Sequence, residues 1–113
     1  MKIIFSFVFL LLIASACKKS DTGCGRVCID REVETFKSKT LVCDQGASVK
    51  EYLFQGKLVY VFEIGPCVSD TWSDVKDAQC NQLGMLGGIA GFTKINGVEF
   101  SSNAVYQRTL WSN

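Results

Sequence analysis

Residues 48–63 read SVKEYLFQGKLVYVFE. Two runs rich in β-branched and aromatic residues flank Gln55-Gly56. That pattern predicts two strands joined by a two-residue hairpin turn, with glycine at a positive-φ position. The turn also fixes the register. Leu53 should face Leu58, Glu51 should face Tyr60, and Val49 should face Phe62, all on one side of the ribbon. Tyr52 with Val59 and Lys50 with Val61 fall on the other side, because strand side chains alternate between faces. The second run, Leu58–Phe62, is apolar on both faces. It reads as an interior strand that needs cover on both sides.

The segment before the hairpin supplies one cover. In CIDREVETFKSK, residues 28–39, Ile29, Val33 and Phe36 recur at helical spacing and share one face. Asp30, Glu32 and Glu34 lie early and Lys37 and Lys39 late, as the helix dipole favours. After the hairpin, residues 65–82 read as a loop holding Cys67 and Cys80. Next comes a run with glycines at 84, 87, 88 and 91. These glycines suit close backbone packing or a turn beside a strand. They lack the spacing of a phosphate loop. Asn96-Gly97 is a second turn signal. Residues 104–111 read as a last strand, with Val105 and Trp111 on one face and Tyr106 and Leu110 on the other. The expected fold is α+β, one N-terminal helix packed on an antiparallel sheet of about four strands and stapled by disulfides. Nothing in these elements names the second cover.

The chain has 113 residues, enough for one domain, and its start reads as an export signal. Lys2 precedes an apolar stretch, Ile3–Ile13, broken only by Ser6, and Ala14-Ser15-Ala16 follow. The stretch is shorter than the roughly 20 residues that span a bilayer. The motif ASAC, residues 14–17, resembles the lipobox of bacterial lipoproteins, although Ala14 stands where leucine is usual. The resemblance implies cleavage after residue 16 and a lipid on Cys17. Lys18 to Gly25 then form a tether, and the predicted layout is signal 1–16, tether 17–26 and domain 27–113. Lysine directly after the cysteine resembles lipoproteins of the Bacteroidetes type. The expected location is the cell envelope, lipid-anchored, on the outer membrane. Lys and Arg number 12, Lys2 among them, against 11 Asp and Glu. That balance disfavours nucleic acid as a partner. The partners expected are the membrane, through the lipid, and an unidentified envelope protein.

The chain has six cysteines. With Cys17 set aside, an odd number remains. An exported domain this small gains from disulfides. Proximity in the chain suggests Cys28 with Cys43 and Cys67 with Cys80, each closing a loop worth about 3 kcal/mol. Cys24 is then the leftover thiol. The competing pattern joins Cys24 to Cys43 and leaves Cys28 free.

Catalytic candidates are sparse. The chain has no histidine, which excludes Ser-His-Asp and Cys-His catalysis. A reactive Cys24 beside Arg26 and a zinc site built from Cys24, Cys28, Cys67 and Cys80 are the cysteine-based rivals. Asp70, Asp74 and Asp77 cluster in SDTWSDVKD, residues 69–77, and could serve a calcium site, a small hydrolase or a metal-dependent enzyme. Against these stands a solvated loop with a helix cap at Ser73 or Asp74. Trp72, Trp111, Tyr52, Tyr60 and Tyr106 could line a recognition surface or fill the core. No catalytic residue, metal or cofactor is assigned.

Taken together, SVKEYLFQGKLVYVFEIGPC, LGMLGGIAG, KINGVEF and the closing TLW resemble a family of small exported Bacteroidetes proteins. That family is known only as a domain of unknown function. The resemblance runs from about Cys28 to Trp111 and implies the domain boundaries and the exported setting. The expected function is a non-catalytic envelope lipoprotein acting as a small binding or accessory module. A hydrolase using the aspartates and a protein inhibitor are the alternatives.

Overall fold

A computed structural model of the chain describes residues 27–113. The signal, the tether, Cys17 and Cys24 lie outside the described residues. The order of elements is helix α1 (Val27–Lys37), strands β1 (Ser48–Phe54), β2 (Lys57–Glu63), β3 (Trp72–Asp77), β4 (Gln82–Gly87), β5 (Lys94–Ile95) and β6 (Val98–Glu99), the one-turn helix α2 (Phe100–Asn103), and β7 (Val105–Ser112).

The hairpin forms in the expected register, with Leu53 opposite Leu58, Glu51 opposite Tyr60 and Val49 opposite Phe62. Gln55 and Gly56 have φ of 52° and 76°. Both central residues are therefore left-handed, the turn whose twist matches the flanking strands. The main sheet is antiparallel with five strands, in the order β4-β3-β2-β1-β7. The fifth strand is β3, in a stretch whose sequence predicts a loop. Its residues, WSDVKD, carry polar groups on both faces, and Val75 is its one fully buried side chain.

The helix lays Ile29, Val33 and Phe36 on Val49, Tyr60 and Phe62. Phe36 meets Phe62 edge-on at 5.4 Å and Trp111 at 6.0 Å between ring centres. The cover for the second face comes from the chain itself. The β5–β6 ribbon and α2 bring Ile95 and Phe100 onto Phe54, Val59, Val61 and Val75. Gly84 lets the ribbon approach, since a Cβ there would sit 2.9 Å from the Ile95 Cδ1.

β7 departs from the expected alternation at two bulges on its pairing with β1. Tyr52 faces Tyr106, but Glu51 faces Arg108, so Gln107 is an extra residue. Val49 faces Trp111 and Lys50 faces Thr109, so Leu110 is another. Each bulge turns the following side chain to the opposite face. Leu110 therefore packs with Trp111 on the helix side, not with Tyr106.

Both edge strands satisfy part of their own outer backbone. Gln82 Nε2 donates to the Gly84 carbonyl at 2.9 Å, and Gln107 Nε2 to the Val105 carbonyl at 3.1 Å. Such side-chain pairing, together with bulges, blunts an edge against further strand addition.

The disulfides join Cys28 to Cys80 and Cys43 to Cys67, correcting the expected Cys28–Cys43 and Cys67–Cys80 pairs. The competing Cys24–Cys43 bridge is excluded by the same finding. The reason is topological. The helix starts over the turn between β3 and β4, so Cys28 meets Cys80. Cys43 enters β1 at the other end of the sheet, beside the exit of β2. There Cys43 N donates to the Ile64 carbonyl at 2.8 Å and the backbone of Gly65 passes close by.

Candidate binding site

The most unusual buried group is Glu51, 1% exposed in the middle of β1. Tyr60 Oη donates to its Oε2 at 2.8 Å, and Arg108 Nε donates to its Oε1 at 2.8 Å. Register explains the arrangement. Arg108, Glu51, Tyr60 and Lys76 form one row across β7, β1, β2 and β3 on the helix side. Lys76 pairs in turn with Glu32 of α1, and its ammonium lies 5.3 Å from the centre of the Phe62 ring. The Gln107 bulge is what aims Arg108 at Glu51. In a regular strand it would share the face of Tyr106 and point away. The charge of Glu51 is thus matched inside the fold, where an unmatched carboxylate would be costly.

The three aspartates do not converge. Asp70 sits ahead of β3 with φ of 57°. Asp74 pairs with Phe62 and Asp77 with the alternate-face residue Val59, so they stand on opposite faces of β3. Asp74 accepts from Gln82 Nε2 at 2.9 Å. Asp77 closes the β3–β4 turn, accepting from the backbone N–H of Gln79 and Asn81 and from Asn81 Nδ2. Burial pushes the Asp77 carboxyl up, but those hydrogen bonds and the charge of Lys57 pull it below the usual carboxylate range. Strand and turn roles therefore replace the expected solvated loop with a helix cap. Among the described residues no group of three or more acidic or cysteine side chains could hold a metal ion. The proposed zinc set is divided, because Cys28 is bonded to Cys80 and Cys67 to Cys43.

The five aromatic candidates separate by burial. Tyr60 is core, and Trp111 packs on Phe36. Tyr52 meets Phe100 and Tyr106 edge-on at 5.2 and 5.9 Å. Tyr106 and Trp72 are half exposed, near opposite edges of the sheet.

Trp72 has company. Ile89 is 85% exposed and Phe92 50%, against 50% for Trp72 itself. All three belong to one tip. Gly87 and Phe92 exchange backbone hydrogen bonds at 2.8 and 3.0 Å, and Gly88 N donates to the Thr71 carbonyl at 3.0 Å. A Cβ on Gly88 would lie 3.7 Å from the Trp72 Cβ. Gly87, Gly88 and Gly91 all have positive φ, which is why this segment can fold back so tightly. No charged side chain occurs between Ala78 and Thr93. The tip thus exposes apolar side chains from a backbone whose polar groups are largely paired, so covering it costs little desolvation. The sequence points to Trp72, while its glycine segment reads as structural only. Ile89 and Phe92 between glycines were the missed signal.

The family described as a domain of unknown function, DUF6970, matches residues 35–113. The chain belongs to this family. The DUF6970 match takes in the whole sheet, Glu51, Arg108 and the tip, and starts within α1, later than the expected boundary near Cys28. No curated protein and no solved structure matches the chain.

Proposed function

We propose that this DUF6970 chain is an exported, lipid-anchored envelope protein of the Bacteroidetes type that acts as a non-catalytic binding module. Two disulfides support the exported setting, since such bonds persist in oxidising compartments. The apolar tip carries the binding reading. α1 begins beside Cys80, at the β3–β4 turn, while Trp72 and Gly87 pair at the far end of the same two strands. Six residues of strand separate the two ends, about 17 Å. A tether joined to the start of α1 would place the lipid at one end and the tip at the other. The tip then points away from the anchoring membrane toward an envelope protein. On this reading Cys17 bears the lipid and Lys18 to Gly25 form the tether.

The test is a photo-crosslinking residue placed at position 89 in cells, with position 34 on the helix as control. A discrete adduct at 89 alone supports the module. Equal labelling at both positions, or none at 89, counts against it. Labelled palmitate incorporation that disappears in Cys17→Ser tests the anchor separately.

A further inference from the structure

We infer that the cleft between the Gln55-Gly56 and Asn96-Gly97 turns binds a small zwitterion with an apolar side chain, such as an aliphatic amino acid. This goes beyond the binding-module reading and needs neither the lipid nor the tip. The cleft measures about 340 Å³ and is lined by Phe54, Gln55, Lys57, Val59, Asp77, Leu83 and Asn96. Volumes of this order suit small ligands.

Three features define what fits. The floor is apolar, made by Phe54, Val59 and Leu83, the first two almost fully buried. The walls are two turns of one type. Gln55 and Asn96 have φ of 52° and 53°, each followed by a glycine in the same region. Both turns close antiparallel ribbons, which fixes the backbone from which each carboxamide projects. The rim carries two opposite charges. Lys57 and Asp77 stand on the same sheet face, close enough for the ammonium to act on the carboxylate, yet they form no ion pair within 4 Å.

Asp77 is already fixed. Oδ1 accepts two backbone N–H groups and Oδ2 accepts Asn81 Nδ2, which leaves room at Oδ2 for one more donor. A ligand ammonium can take that place while its carboxylate meets Lys57. The carboxamides of Gln55 and Asn96 can complete both polar ends, and the aliphatic chain covers the floor. A ligand with one charge alone would leave the opposite rim charge without a counterpart.

The test is isothermal titration calorimetry of the whole exported chain, both disulfides formed, with L-leucine. Matched probes are isoamylamine, which lacks the carboxylate, and 4-methylpentanoate, which lacks the amine. Saturable heat with L-leucine, at least tenfold weaker for either probe, supports the site. Lys57→Gln should weaken L-leucine about tenfold, the loss of one charge-assisted bond. Its melting temperature should fall only slightly, because Lys57 is exposed and its charge is the smallest of the groups that hold the Asp77 carboxyl down. No saturable heat with L-leucine would overturn the inference. So would equal binding of isoamylamine, or affinity unchanged by Lys57→Gln.

Discussion

Replacing Arg108 by Met should be among the most damaging surface-accessible changes in the domain. The methionine keeps much of the aliphatic stem and removes the charge. Glu51 then stays 1% exposed with its Tyr60 hydrogen bond but without its cation. Opposite charges about 4 Å apart attract by about 4 kcal/mol at an effective dielectric of 20. The Arg108 side chain is 47% exposed, so solvent screens part of that. A loss of about 2–3 kcal/mol remains. For a domain of this size each kcal/mol moves the melting temperature by about 4–8 °C, so the expected drop is roughly 10–20 °C. Thermal unfolding followed by circular dichroism reads it directly.

A double-mutant cycle isolates the cause. Glu51→Leu removes the buried charge and keeps an apolar side chain under the helix. In that background Arg108→Met should cost clearly less than in the wild type, because no buried carboxylate is left behind. Equal costs in both backgrounds would refute the reasoning and show Arg108 acting through contacts other than Glu51. A single-variant loss below about 0.5 kcal/mol would refute it as well.

Non-reducing peptide mapping should return Cys28 linked to Cys80 and Cys43 linked to Cys67. With Cys28 and Cys80 both replaced by Ser, the open loop spans 52 residues, so the chain-entropy model gives a loss of about 4 kcal/mol. Gly84→Val should destabilise by loosening the β5–β6 cover, because its Cβ meets Ile95; hydrogen exchange should rise at residues 94–103 more than at β1. Gly88→Val should cost about 1–2 kcal/mol through its φ of +78° alone, since a Cβ there makes only ordinary contacts. The depressed Asp77 carboxyl contributes stability above its unfolded value, lost as pH falls through its lower folded value. Asp77→Asn should therefore flatten the acid limb of a stability–pH curve below about pH 4, and an unchanged limb would count against the assignment.

The parts of the fold that could be read from sequence are those where one local rule decides. Gln55-Gly56 sets the hairpin register, and Ile29, Val33 and Phe36 set the helix face. The parts that could not be read depend on distant chain. WSDVKD lacks an apolar face, so it becomes a strand only because β2 and β4 both pair with it. Disulfide partners follow from which ends of the sheet meet, and neighbouring cysteines in sequence lie at opposite ends. The Glu51–Arg108 pair depends on a bulge at Gln107 that no local pattern announces. One trace of it was present: a glutamate predicted to face Tyr60 between Val49 and Leu53, on a face otherwise apolar. A charge in that place needs a partner, and the register alone does not say which.

These observations also explain how a small sheet can expose an apolar tip without joining its neighbours. Both edge strands carry a bulge and a glutamine that occupies an outer carbonyl, so pairing through the edges is discouraged. The two cores are closed by the chain's own helix and ribbon, and Cys28–Cys80 holds the helix in place over the first. The tip around Ile89 and the cleft beside Lys57 lie near opposite ends of β3 and β4. On the two proposals above, the domain meets two kinds of partner through two chemically different surfaces. The tip offers apolar area beside the single exposed carboxylate of Asp70, which suits a protein groove. The cleft offers paired charges over an apolar floor, which suits a small zwitterion. Because the two lie about a strand length apart, occupancy of one need not block the other.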